Sequence, residues 1–600
     1  MKRSIPKALE DHIFGDIERR KNIANWLEKR VQGVHHYHKR SPMIPHPGDE
    51  VELVATTTND QPYDSLILWV TTDEWHTKER LFFSRDKLVW YAPLWTYLQV
   101  WKVKLPPQSE NVMLRYKIGA ELEGSSRQIF ADNQADEFNQ GTNFSIWFGT
   151  DHFPEWSKDA IVYQIFVDRF NPGEGGAWKG QDNLKVHFGG KLRGIYEKLP
   201  YIQSMGFNTI WLTPIFESPS HHAYDTMDYL KIKTAFGSKN DFKELMHKAH
   251  SLGMRVILDF VANHCSDQHA YFQDALQSQE SQYHDWFEWK PWPDYECFFN
   301  VRRMPKLDLS YGKPARQYLL ENAKHWLKMG ADGFRLDYAH GPEQDFWVDF
   351  RKACRQIKDD VWTFGEIVQP PDVQRTYGGG LWGSLDFLLC QVLRQTFGLR
   401  TMSLEGFAAF LSSHERFASD SFSLPSFIDN HDMNRFFYLA DNDERLLKLA
   451  LLVLYCLPGP PIIYYGTEVP LSQHRSIHAN GALGFDEARL AMPWEHVEKS
   501  LFPDYLRRLA ELRSENPLVH QQAWCVVQSD VQKDAIVLGK DGSSDIFLLI
   551  NRGEKPIQVE IPVNGQHQYI DLMTKDILQI EQEELRVSIA PVSAMLVSAI

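Results

Sequence analysis

Residues 160–170 read AIVYQIFVDRF. An apolar run of this length, interrupted only by Gln164 and stopped by Asp168 and Arg169, is the signature of a strand buried on both faces. From it, strand and helix signals alternate for about 350 residues, on the order of one whole (β/α)8 (TIM) barrel of the α/β class. The candidate strands are 161–167, 209–212, 256–260, 333–336, 362–365, 384–388, 422–428 and 461–464. Eight is the number that a closed barrel requires. Between them lie helical patterns such as DFKELMHKAHSLG and ERLLKLALLVLYCLPG, with apolar residues at three- and four-residue steps and Gly near the C-termini.

On the N-terminal side the pattern differs. Short alternating runs (VELVATTT, SLILWVTT, YLQVWKVKL, MLRYKIGA) separated by polar turns predict antiparallel strands over 51–129, preceded by an amphipathic helix at about 5–30. On the other side, WCVVQS, DAIVLGK, IFLLINR and LRVSIA predict a small C-terminal β-sandwich. The expected organisation is therefore an N-terminal helix plus β-sandwich-like domain at 1–148, the barrel at 149–520 and a β-sandwich at 521–600. The stretch 265–312, which follows the third strand, lacks a clean crossover helix and reads as an inserted subdomain. Its Trp286, Trp289, Trp292, Tyr295, Phe298 and Phe299 fit either a sugar groove or a small core.

Composition narrows the function. With 600 residues, 43% hydrophobic and 24% charged, the chain reads as soluble and multidomain. A net charge of −15 argues against nucleic acid or an anionic membrane surface as partner, since both demand clustered positive charge. The first thirty residues carry charges throughout and no signal-peptide core, so a cytoplasmic location is expected. The six scattered cysteines read as reduced thiols. His35, His36 and His38 lack spaced companion ligands and are expected on an exposed edge rather than in a metal site. The glycines of FGGKLRG and PGEGGAWKG fit neither phosphate loop nor dinucleotide fingerprint.

Barrel enzymes hold their chemistry at the C-terminal ends of the strands. Four such ends carry polar clusters: RVILDFVANHC with Asp259, Asn263 and His264; DGFRLDYAH with Arg335 and Asp337; WTFGEIV with Glu366; and FIDNHDMNR with His431, Asp432 and Arg435. A single carboxylate closing a strand is usually a helix cap or an ion-pair partner. Four in order, with His and Arg beside them, point to chemistry. A strand's two-residue period turns Arg335 and Asp337 to one face, where the guanidinium is expected to keep Asp337 ionised.

These four segments, in this order, resemble the signature regions of the α-amylase superfamily of glycoside hydrolases and transglycosylases. GFNTIWLTPIF, HAYDTMDY, LPGPPIIYYGTE and DEARLAMPW are similar to its further motifs, and MPKLD resembles the fifth signature of the neopullulanase, cyclomaltodextrinase and maltogenic amylase branch, which usually reads MPKLN. The resemblance implies Asp337 as nucleophile, Glu366 as general acid/base with its pKa raised by Asp337 and Asp432, and Asp432 as third essential carboxylate. It implies substrate binding by Arg335, by His264 and His431 flanking Asp432, by Tyr224 stacking on a sugar, and by an Asp225–Arg435 pair closing the pocket. Core packing for Tyr224 and an ordinary salt bridge for Asp225–Arg435 stand as alternatives. Where the branch has Asn and Glu after its nucleophile, this chain has His340 and Gly341, positions that in the branch contact the leaving sugar. No cofactor is required; calcium is left open, with Asn263 matching a ligand in many members.

The implied activity is retaining cleavage of α-1,4-glucosidic (or α-1,6) bonds in maltooligosaccharides, cyclodextrins or related short α-glucans. The implied partners are an α-glucan oligosaccharide and, as in related proteins, a second copy in a homodimer, with no nucleic acid and no membrane. The alternatives are a glucosyltransferase or transglycosylase, an exo-acting α-glucosidase and a non-catalytic carbohydrate-binding protein.

Overall fold

The computed structural model describes Asp11 and residues 27–600, except for 151, 417–421, 480–483, 541–544 and 564–567. Seven parallel strands pair in the order Gly383–Ser384, Trp362–Gly365, Gly333–Asp337, Arg255–Val261, Thr209–Leu212, Val162–Ile165, Ile462–Tyr464. Residues 423–426 fill the gap between the two ends. Ser384 N donates to Ser423 O (3.0 Å), Asp386 N to Pro425 O (3.0 Å), Ser426 N to Pro460 O (2.9 Å) and Ile462 N to Ser426 O (2.8 Å), so the curled sheet closes on itself.

Three expected strands differ. The run 422–428 makes only isolated bridges, because Pro425 has no N–H to give to a ladder. The run 384–388 stops at Ser384, since the Asp386 carboxylate accepts from Leu389 N and caps the helix Phe387–Leu393. The first strand ends at Ile165, and Val167–Phe170 turns helical.

The two-residue period of the strands sorts their side chains. Val162, Trp211, Ile257, Trp362, Phe364 and Ile462 pack together inside the ring, whereas Ile210, Leu258, Phe334 and Leu336 face outward toward the helices. Stepping along the same inner faces, Ile257 leads to Asp259, Arg335 to Asp337, and Phe364 to Glu366. Aromatic and aliphatic bulk therefore fills the floor while charge collects at the C-terminal rim. Gly333 occupies the inner position below Arg335, where a Cβ would stand 2.2 Å from Trp362 O.

Ahead of the barrel, two five-stranded antiparallel sheets enclose one core built from Val51, Leu53, Trp101, Leu68, Tyr116 and Phe144 among others. They are tied to the helix Gln344–Arg355 by Arg115, which reaches Asp349 at 2.8 Å, and by Asn143, which donates to Asp345 at 3.0 Å. Arg316 bonds both aspartates from the neighbouring helix. The expected helix at about 5–30 lies outside the described residues, apart from Asp11 and the helical residues 27–30. His35, His36 and His38 are not on an exposed edge: His35 and His36 are buried, and His36 bonds Val54 O (2.7 Å) and Tyr116 Oη (2.9 Å). Burial pushes the His36 and His38 imidazoles down to about 4 and about 3.

After the barrel, a six-stranded and a three-stranded antiparallel sheet form the C-terminal unit. Within 265–312, Trp289 and Tyr295 pack with Phe272 and Phe287 as a small core, while Phe298 and Phe299 lie against Tyr338 at the barrel rim. The crossover helix that follows is Pro314–Lys328. No helix among the described residues is long and apolar enough to cross a membrane.

Candidate active site

Strand register places Asp259 opposite Arg335, and the fully buried Arg335 is the centre of the rim. Its Nη1 donates to both oxygens of Asp259 (2.9 and 3.1 Å) and to Asp337 Oδ1 (2.9 Å). Its Nη2 approaches Glu366 Oε2 at 3.0 Å without hydrogen-bond geometry. One cation thus faces three carboxylates. Glu366 Oε2 also accepts from Tyr338 N (3.0 Å). Tyr338 adopts φ +42°, an unfavourable conformation for a bulky residue, and this turn aims its N–H back at Glu366.

Tyr224 and His431 link this group to Asp432. The Tyr224 hydroxyl donates to Asp259 Oδ2 (2.9 Å) and meets His431 Nε2 at 2.5 Å. Gln164 bonds His431 Nδ1 at 2.8 Å; with its amide donating there, the imidazole proton sits on Nε2, which faces Asp432 Oδ2 at 3.0 Å. Asp432 Oδ1 is held by Arg489 Nη2 at 2.5 Å, and Arg489 Nε donates to His431 O (2.8 Å). Asp486 stands 3.5 Å from Arg489 and 2.8 Å from His221.

The electrostatics follow from burial and neighbours. Burial raises Asp337 to about 7, with Asp259 and Asp432 adding to the rise and Arg335 opposing it. Asp259 is likewise raised by burial to about 6. Glu366 is raised by burial and by the charges of Asp337 and Asp432. Burial would raise Asp432 too, but His431, Arg489 and Arg335 outweigh it and hold this carboxyl well below its usual range. The guanidinium expected to keep Asp337 ionised does favour its charge, but it is divided among three anions, and burial outweighs its pull on Asp337. The three carboxyls around Arg335 are thus pushed up together, while Asp432 is held down and stays anionic.

Other expected residues fall elsewhere. Asp225 and Arg435 do not pair. Asp225 accepts from Ser218 Oγ (2.5 Å) and Ser220 Oγ, whereas Arg435 donates to Ala488 O (3.0 Å) and Tyr465 O (2.9 Å). Arg435 sits at the N-terminus of the helix Phe436–Leu439 and gives its guanidinium to carbonyls beyond the last barrel strand. His264 bonds Tyr224 O (3.1 Å), stacks on Phe298 at 4.5 Å and is lowered by burial to about 4. His340 lies against the Tyr338 ring, 4.1 Å between centroids, on the Glu366 side of the rim. Asn263 Oδ1 meets Gly341, where a Cβ would come within 2.2 Å, and its Nδ2 lies 3.2 Å from His264 Nδ1. A calcium ion wants six or more oxygen ligands. Among the described residues no group of three or more His, Cys, Asp or Glu could hold a metal.

Asp259, Arg489 and Gln164 belong to the rim without having been assigned a role from the sequence. Asp259 was detectable, since it stands two residues beyond the inward Ile257. Arg489 lies in DEARLAMPW, more than fifty residues beyond Asp432, and nothing in its spacing points to that carboxylate.

Residues 164–516 match the family model for the alpha-amylase catalytic domain. The chain is 32% identical to alpha-amylase 2 of Dictyoglomus thermophilum over 91% of its own length and 93% of that protein. It is 32% identical to neopullulanase 2 of Thermoactinomyces vulgaris over 74% of its length and 78% of that protein. A solved cyclomaltodextrinase superposes with a TM-score of 0.69, covering 95% of this chain and 99% of the other at 23% identity, which bears on the fold.

Proposed function

The chain belongs to the α-amylase family of glycoside hydrolases, and we propose that it cleaves α-1,4-glucosidic bonds, and α-1,6 bonds where they occur, in maltooligosaccharides, cyclodextrins or related short α-glucans with retention of configuration. The convergence of Asp337, Glu366 and Asp259 on one guanidinium, with Asp432 joined to them through His431 and Tyr224, carries this reading. Two carboxyl groups sharing one guanidinium fit the separation of roughly 5 Å that double displacement uses.

In this reading Asp337 is the nucleophile. Its Oδ1 is held by Arg335, which leaves Oδ2 to attack the anomeric carbon. Glu366 is the general acid. Its Oε2 is occupied by Tyr338 N–H, so Oε1 carries the proton to the departing glycosidic oxygen. The proton prefers Glu366 because ionised Asp337 accepts a charge-assisted hydrogen bond from Arg335 that Glu366 lacks. Water then attacks the glycosyl ester, gives its proton to Glu366 and releases Asp337. Asp432, kept anionic by Arg489 and His431, accepts from ring hydroxyls and favours the oxocarbenium-like transition state.

Transfer to a sugar acceptor is the second reading. The aromatic wall of Phe298, Phe299, Tyr338 and His340 beside Glu366 offers C–H stacking to a leaving or incoming sugar. Products from linear, cyclic and branched glucans, with and without added glucose, separate hydrolysis from transfer. For the roles, Glu366→Gln treated with an activated α-glucosyl fluoride should accumulate a covalent adduct, seen by intact mass spectrometry and mapped to Asp337. Fluoride needs no acid to leave, and the ester lacks the base that hydrolyses it. An adduct elsewhere, or an undiminished turnover of maltotetraose by Asp337→Asn, would refute the assignment.

A further inference from the structure

Arg394 opens the π-helical turn Arg394–Gly398, a rare irregularity that often accompanies functional sites. It is wholly buried behind the loop that carries His431 and Asp432. Its Nη1 donates to Ile428 O (2.8 Å) and to Asn434 O (2.9 Å). These carbonyls bracket residues 429–433, so one nitrogen ties both ends of the loop together. A buried guanidinium needs an anion close by. The loop's own Asp429 adds charge nearby, but its Oδ2 accepts from Phe436 N (2.7 Å).

The hydrogen-bonded anion comes from the far N-terminal part of the chain. Asp11, 3% exposed, accepts from Arg394 Nε on Oδ2 (2.8 Å) and from Nη2 on Oδ1 (2.5 Å), a bidentate pair across 383 residues of sequence. Asp11 Oδ1 also accepts from Asn434 Nδ2 (3.3 Å), and Asp11 O from Gln391 Nε2 (3.2 Å). Asn434 Oδ1 in turn accepts from Gln473 Nε2 (2.7 Å) and Ile477 N (2.9 Å), so the same network fixes the segment after the last barrel strand.

We propose that Asp11 is a positioning residue for the reaction: through Arg394 and Asn434 it holds the loop 429–433 in the geometry that places Asp432 against His431 and Arg489. This rests on the reading that Asp432 is required for turnover. The loop must be placed closely, because Asp432 meets Arg489 at 2.5 Å and His431 at 3.0 Å, and a displacement of about 1 Å at a reacting centre costs on the order of 10²-fold.

The test is steady-state kinetics of the full chain on maltotetraose. Asp11→Asn should lower kcat about ten- to a hundredfold, with a smaller change in KM. Asp11→Glu should recover part of the loss. Arg394→Lys keeps the charge but cannot serve Asp11 and both carbonyls at once, and should fall with Asp11→Asn; it decides the matter if Asp11→Asn does not fold. Wild-type kcat in a folded Asp11→Asn, or in a folded Arg394→Lys, overturns the proposal, as does a loss accounted for by the unfolded fraction alone or one carried by KM with kcat unchanged. Asp432→Asn measured alongside separates the premises. If Asp432→Asn is inactive while Asp11→Asn is unaffected, only the positioning role fails; if Asp432→Asn turns over normally, the reading of the site fails first.

Discussion

Asp259→Asn probes the division of one guanidinium among three carboxylates. Asp259 and Asp337 both bond Arg335 Nη1 at 2.9 Å. Two such carboxylates stand roughly 5 Å apart, and at an effective dielectric near 20 their repulsion is about 3 kcal/mol, or about two pKa units. Arg335 lies between them and cancels part of this, so removing the Asp259 charge should lower the Asp337 pKa by about one unit from its burial-raised position near 7. The acid limb of kcat/KM, which requires ionised Asp337, should therefore move to lower pH by about one unit. The same change has a cost. Asp259 Oδ2 accepts from Tyr224 Oη and Trp211 Nε1, and an amide nitrogen there would face two donors, so a fall in kcat of about ten- to a hundredfold should accompany the shift. The assay is a pH–rate profile on a maltooligosaccharide from pH 4 to 9, with circular dichroism as the check on folding. An acid limb that stays in place or moves upward in a folded Asp259→Asn would refute the shared-cation account.

Two further outcomes are expected. Arg489→Leu should raise the Asp432 pKa toward the usual carboxylate range and lower kcat/KM on the same substrate about tenfold or more, since the charge-assisted bond to Asp432 is lost; a loss below threefold would show that Asp432 is held by His431 alone. His36 is neutral and buried with a pKa near 4 against 6.5 unfolded, so it contributes stability that is complete above pH 6.5 and disappears as pH falls through 4. The amount is about 3 kcal/mol, and thermal melts of His36→Gln between pH 4 and 7 should show a shallower acid decline than those of the unaltered chain.

The sequence determined more of this protein than its barrel. Strand periodicity and the polar ends of 256–260, 333–336 and 362–365 sufficed to gather Arg335, Asp337 and Glu366 on one inner face, because a two-residue period fixes which side chains share a side whatever the rest of the chain does. Other placements depended on contacts between distant segments, to which local pattern is blind. Arg489 reaches Asp432, and Asp11 reaches Arg394, only because the closed ring brings separate loops together. Arg435 is taken by the carbonyls of Tyr465 and Ala488 rather than by Asp225, and residues 422–428 lack a regular ladder where Pro425 has no N–H. The proton balance was the least legible feature: adjacency in sequence made Arg335 look like the private partner of Asp337, while strand register gave that cation to Asp259 and Glu366 as well and left burial to set the pKa.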